Sequence, residues 1–120
     1  MEPMDKIVRI QQYRLAAEYT ARYQQIVMKL PPRLLFLEAD VEFQDFLADD
    51  SVSSVIHAYI DLCAEQLQLY KCGVIPEEIW ENWKEGILRG FRLPAVRSIW
   101  ENYVDKGPFY QLANYLSENS

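Results

Sequence analysis

Glycine is scarce in this chain: there are four in 120 residues, and they stand far apart. That excludes a glycine-rich loop cradling phosphate, which needs several glycines within one turn. A single histidine, His57, excludes histidine pairs and multi-histidine metal sites. Two cysteines, Cys63 and Cys72, are too few for a disulfide scaffold and lack the Cys-x-x-Cys spacing of a zinc site. Basic residues are outnumbered twelve to eighteen, for a formal net charge of −6. General nucleic-acid binding depends on neutralising phosphates and is not expected. No apolar run approaches the ~20 residues of a membrane-spanning helix. Residues Met1 to Asp5 lack the basic start and apolar stretch of a secretory signal. Nowhere do apolar and polar residues alternate long enough to argue a strand.

What is abundant is apolar and aromatic surface. Half the chain is hydrophobic, 13% is aromatic and 25% is charged. One domain of this size can close a core. From Asp5 to Leu30 there is no proline or glycine, and Val8, Leu15, Tyr19, Tyr23, Ile26 and Leu30 share one arc of a helical wheel. This predicts a long amphipathic helix over residues 1–30, stopped by Pro31 and Pro32. A second apolar line, Ile10, Ala17, Ala21 and Met28, runs along the opposite side at spacings of seven, four and seven. That is the spacing of a coiled-coil seam with small residues at its centre.

Residues 33–120 read as a helical bundle. Asp40 is a candidate N-cap for a short helix carrying Val41, Phe43, Phe46 and Leu47. After Asp49-Asp50-Ser51, apolar residues from Val52 to Tyr70 step at three and four, and Gly73 is placed for a left-handed C-terminal cap. Pro76 reads as the first turn of a helix with Ile79, Trp80, Trp83 and Ile87 on its apolar face and Gly90 as its stop. Pro94 and Pro108 open two further helices, separated by Gly107. Ile79-Trp-Glu-Asn-Trp83 is echoed by Ile99-Trp-Glu-Asn-Tyr103, which reads as convergent packing. Gly86 is out of place inside a helical pattern and suggests close helix approach, a bend or an early stop. The expected fold is all-α: one domain over residues 1–120, a compact bundle of five to six helices with a long N-terminal helix.

Charge is distributed unevenly. Residues 1–37 carry +3, residues 38–88 carry −10 and residues 89–120 carry +1. Either the acidic middle packs on the basic first segment, or it offers a docking surface to a basic partner. His57 and Asp61, four apart on a helix, have the spacing of an oriented base, but Cys63 lies on another face and supplies no nucleophile. Glu77, Glu81 and Glu85 form an i, i+4, i+8 row, without the Glu-x-x-His element of a di-metal bundle. No metal, no cofactor and no catalytic constellation is expected. Cys63 and Cys72 fall nine residues apart on opposite helix faces, so they do not pair; with no export signal this points to a reducing cytoplasm.

The stretch Leu69-Tyr-Lys-Cys-Gly73, followed by Glu78-Ile-Trp80 and Trp83 and later by Pro94 and Trp100, resembles bacterial all-helical domains without an assigned activity. In those domains a tyrosine, basic residue, glycine turn precedes a Glu-x-Trp-x-x-Trp helix. The resemblance covers roughly residues 55–115 and implies a helical fold, often on the cytoplasmic side of a membrane anchor. The anchor itself is not seen here. The expected function is a non-catalytic helical interaction or regulatory module that binds a protein partner or itself. Its candidate surface is Ile10, Ala17, Ala21 and Met28, with Glu77, Glu81 and Glu85 as a secondary one. The alternative is a small-molecule sensor with an aromatic pocket formed by Trp80, Trp83, Trp100, Tyr70 and Arg92.

Overall fold

A computed structural model of the chain describes residues 3–29, 50–101 and 109–119. Among them are five helices and no strand: α1 (Pro3–Lys29), α2 (Asp50–Lys71), α3 (Glu77–Gly90), α4 (Pro94–Trp100) and α5 (Tyr110–Asn119). The short helix expected from Asp40, the Pro31–Pro32 stop and the Gly107–Pro108 boundary lie outside the described residues. None of the described helices is long and apolar enough to cross a membrane.

α2 is the hub, packing against α1, α3, α4 and α5. Its apolar residues cover a wide arc, so it has neighbours on several sides. Ile56, Ile60, Leu62 and Cys63 are fully buried, and Leu67 is nearly so. Each such aliphatic side chain contributes roughly 1.5–3 kcal/mol through burial. Around this axis stand Ile75, Trp80 and Ile87 from the α3 region, Ala95, Val96 and Trp100 from α4 and Leu112 from α5.

The punctuation follows local chemistry. Gly73 has φ +75°, the left-handed region that only glycine enters without strain. Its N–H donates to the Tyr70 carbonyl, and the Val74 N–H donates to Leu69, both at 3.0 Å. These two bonds form a Schellman motif that closes α2. Pro76 sits one position earlier than expected, at the N-cap of α3, where its carbonyl accepts from the Ile79 and Trp80 N–H groups. Gly90 does end α3, but for a reason of packing rather than handedness. A Cβ built there would overlap the Tyr59 phenol at Oη and Cζ, so a larger residue at this position forces the ring to shift. Gly86 neither stops nor tightens the helix, since α3 runs through it and an added Cβ would meet nothing within 4 Å.

Basic α1 lies against the acidic middle of the chain. Arg22 pairs with Glu65 at 3.0 Å, Arg9 with Glu78 at 3.8 Å, and the Tyr13 hydroxyl donates to the Glu78 carboxylate. The two charge poles therefore partly neutralise each other within the molecule. These pairs are exposed and screened by solvent, so they orient α1 more than they hold it.

Candidate functional site

α1 has two working sides. Inward, Ala16 is buried and Leu15, Tyr19, Tyr23 and Ile26 are half-buried against the core. Tyr19 meets Trp83 with ring centroids 6.0 Å apart, and Tyr23 meets Tyr59 at 6.1 Å. The Trp83 indole N–H donates to Thr20 Oγ1 at 3.4 Å. Outward, Ala17 and Ala21 are exposed, Ile10 is 53% exposed and Met28 is 83% exposed. A shallow groove along this outer side is lined by Lys6, Arg9, Ile10, Tyr13, Arg14 and Ala17. All four residues of the second apolar line thus share one uncovered face, while Leu15, Tyr19, Tyr23 and Ile26 of the first line pack on the core and Leu30 lies outside the described residues. Val8 is the exception on the first line: it is 48% exposed, beside Pro76, Glu77 and Glu78 at the start of α3.

The three glutamates of the acidic row are all exposed and have different neighbours. Glu77 accepts a hydrogen bond from Tyr70 at 3.4 Å, Glu81 pairs with Lys84 at 2.7 Å, and Glu85 turns to the mouth of a cavity. Successive i, i+4 positions drift by ~40° around a helix, which separates the first glutamate from the last.

The five residues expected to form one aromatic pocket are spread over the molecule. Tyr70 stacks on Trp80 with centroids 4.4 Å apart and planes 7° from parallel, and Tyr115 meets Trp80 edge-on at 5.6 Å. Trp100 packs edge-on against Phe91 and Phe109, and with Arg92 it lines a cleft between α3, α4 and α5. Trp83 faces α1 instead. Trp80 and Trp83 are three residues apart, about 60° around α3, and that turn is enough to give them different neighbours, Tyr70 and Tyr115 for Trp80 and α1 for Trp83.

A different cavity, of about 400 Å³, lies between α1, α2 and α3. Tyr23, Tyr59, Trp83, Ile79 and Ile87 wall it, with Thr20, Gln66, Asn82, Gly86 and Arg89 among the other lining residues. Gln66 is 3% exposed and is the buried polar side chain among the described residues. Burying an amide without a partner costs about 1–3 kcal/mol. No described side-chain nitrogen or oxygen is both sealed from solvent and unpaired, and Gln66 satisfies that condition through its access to the cavity. Gln66 was legible in the sequence only as a polar interruption in the apolar arc between Cys63 and Leu67. Below it the Tyr59 hydroxyl donates to the Gly86 carbonyl at 3.2 Å. Burial raises the Tyr59 hydroxyl well above the ordinary tyrosine value, with the neighbouring Cys63 adding to the effect.

The remaining chemistry-bearing residues are dispersed. His57 is half-buried on α2, Asp61 is exposed, and Cys63 is fully enclosed. Burial pushes the Cys63 thiol up to about 12, leaving it protonated and unreactive at neutral pH. Cys72 lies just past the end of α2, exposed and unpaired, with Gln68 Nε2 donating to its sulfur at 3.3 Å. No cluster of three or more His, Cys, Asp or Glu side chains able to hold a metal occurs among the described residues.

These features define an all-α bundle with a helix presented on its outside and a cavity beneath that helix. Comparison with protein-family models, with curated proteins and with solved structures finds no match.

Proposed function

We propose that the chain is a non-catalytic helical interaction module that binds a second copy of itself through the outer seam of α1. The observation that carries this reading is the exposure of Ile10, Ala17, Ala21 and Met28 on one face while the opposite face is packed. The seam is also self-complementary. Two copies of α1 running antiparallel, with the two-fold axis at residue 19, set Ile10 against Met28 of the second copy and Ala17 against Ala21. Large residues then meet large at the ends, and small residues let the backbones approach at the centre. Between these layers Arg14 falls opposite Gln24, a pair that can hydrogen-bond. Taking Ile10, Ala17 and Gln24 as d positions makes Arg14, Ala21 and Met28 a positions, which gives the a-to-d layers of an antiparallel coiled coil.

The contact is about 27 Å long and one helix wide, which places it in the small-area, concentration-dependent class. Two free thiols agree with a reducing cytoplasm as its setting. The resemblance to bacterial helical domains adds no activity to this reading.

Sedimentation velocity across a hundredfold concentration range tests it. The wild type should pass from monomer to dimer, and an Ala17→Glu/Ala21→Glu variant should stay monomeric with unchanged far-ultraviolet circular dichroism. A wild type that stays monomeric throughout, or a variant that still dimerises, refutes pairing through this face. A variant that unfolds would instead assign the seam to the fold of a single chain. A second reading, small-molecule sensing, is favoured by a separate observation, the cavity on the inner side of α1.

A further inference from the structure

We infer that the cavity between α1, α2 and α3 binds a neutral, flat ring compound with an amide-type edge, a hydrogen-bond donor beside an acceptor. This is independent of self-association, because the cavity lies under the side of α1 opposite the outer seam.

The Gln66 carboxamide leads to this ligand class. It is 3% exposed, lines the cavity, and makes no side-chain hydrogen bond to another described residue. A carboxamide presents an N–H donor and a carbonyl acceptor in one plane, and the matching partner is another amide edge: a lactam, a primary carboxamide or a nucleobase. The walls suit a ring. Trp83, Tyr23 and Tyr59 offer aromatic surface, and Ile79 and Ile87 add aliphatic surface. The charged lining residues, Glu85 and Arg89, are one of each sign and both exposed, so the inner part of the cavity carries no net charge to attract an ion. A volume of about 400 Å³ lies within the usual range for small-molecule sites.

Gly86 gives a second, independent indication. A glycine inside a helix is destabilising relative to alanine, and no packing atom requires one at this position. It lines the cavity, where a bare backbone keeps the wall flat against a ring. The Tyr59 hydroxyl, bonded to the Gly86 carbonyl, ties α2 to α3 at this wall.

The test is a titration of ¹⁵N-labelled protein with nicotinamide and with uracil, with toluene as the ring lacking an amide edge. Saturable shifts are expected at the Gln66 side-chain amide and at the Trp83 indole N–H for both amide probes. Toluene should bind at least tenfold more weakly. Gln66→Leu should weaken both amide probes at least tenfold and leave toluene binding intact. Gly86→Leu projects into the cavity from a position where an added Cβ meets nothing within 4 Å, and it should abolish the shifts while keeping native circular dichroism. No saturable shift with either amide probe, shifts confined to the Trp100 and Arg92 cleft, or equal binding by Gln66→Leu would overturn the assignment.

Discussion

Alanine substitution at Gly86 and at Gly90 should move stability in opposite directions, although the two lie one turn apart in α3. At Gly86 the new Cβ meets nothing within 4 Å, so the change reduces to backbone preference. Alanine is favoured over glycine in a helix interior by about 0.8–1 kcal/mol. At Gly90 the new Cβ would overlap the Tyr59 phenol at Oη and Cζ, so the ring must shift. Tyr59 is 5% exposed, between Tyr23 on one side and Phe91 on the other, so it yields only by turning toward the cavity it lines and away from its hydrogen-bond partner. Overpacking of this kind costs about 1–3 kcal/mol. The hydroxyl would also leave the Gly86 carbonyl, about 1 kcal/mol more. Set against the helix preference, the net loss is about 1–3 kcal/mol. Urea unfolding followed by circular dichroism resolves both changes. With a slope of about 1–3 kcal/mol per molar, Gly86→Ala should raise the midpoint by roughly half a molar and Gly90→Ala should lower it by about one molar. Adding Tyr59→Phe removes the closest atom and should shrink the Gly90→Ala penalty. Two substitutions that both stabilise, or a penalty unchanged by Tyr59→Phe, would refute this account of why α3 ends at a glycine.

Three further expectations follow from separate parts of the structure. The Tyr13 hydroxyl, with help from Arg9, holds the Glu78 carboxyl below its ordinary value near 4.5. A carboxyl lowered in the folded state contributes above its unfolded value and loses that contribution as pH falls through the folded one. Acidification below about pH 4.5 should therefore loosen α1 from the start of α3, and Tyr13→Phe should raise the Glu78 midpoint in an NMR titration; an unmoved midpoint would remove Tyr13 as the cause. A thiol reagent at neutral pH should modify one cysteine per native chain, Cys72, and two in urea, because Cys63 is fully buried with its thiol pushed up to about 12. Two fast-reacting thiols in the native protein would place α2 elsewhere than at the centre. Met28→Lys leaves the inner face of α1 untouched, so it should abolish self-association with a melting temperature within about 2 °C of wild type.

The helices were legible because their signals are local. Apolar residues at three- and four-residue steps from Val52 to Tyr70 describe a buried helix whatever surrounds it, and α2 occupies that span. Gly73 after a helical run anticipates a left-handed cap, and the backbone is left-handed there. Pro94 opens α4 as expected, because its fixed φ suits a first turn. The two apolar lines of α1 were legible in the same way, as a matter of angle around one axis. Their unequal fates were not. The small residues at the centre of the Ile10, Ala17, Ala21 and Met28 line marked it as the candidate binding surface, but which line finds a neighbour within the chain depends on where α2 and α3 come to rest.

The same limit explains the pocket. Trp80, Trp83, Trp100, Tyr70 and Arg92 share composition and helical spacing, and nothing local separates them. Tertiary packing sends Trp80 to Tyr70 and Tyr115, Trp83 to α1, and Trp100 to Phe91 and Phe109. The glycines divide along the same boundary. Gly73 serves a backbone angle and was readable, whereas Gly90 serves a phenol from a residue 31 positions away and was not. By itself the sequence determined an all-helical chain, most of its punctuation and a helix with two apolar sides, because those depend on dihedral preference and periodicity within a few residues. Only the tertiary structure decided which side of α1 faces outward, which glycine lies against a distant phenol and where a buried amide borders a cavity, because each depends on contacts between segments far apart in the chain.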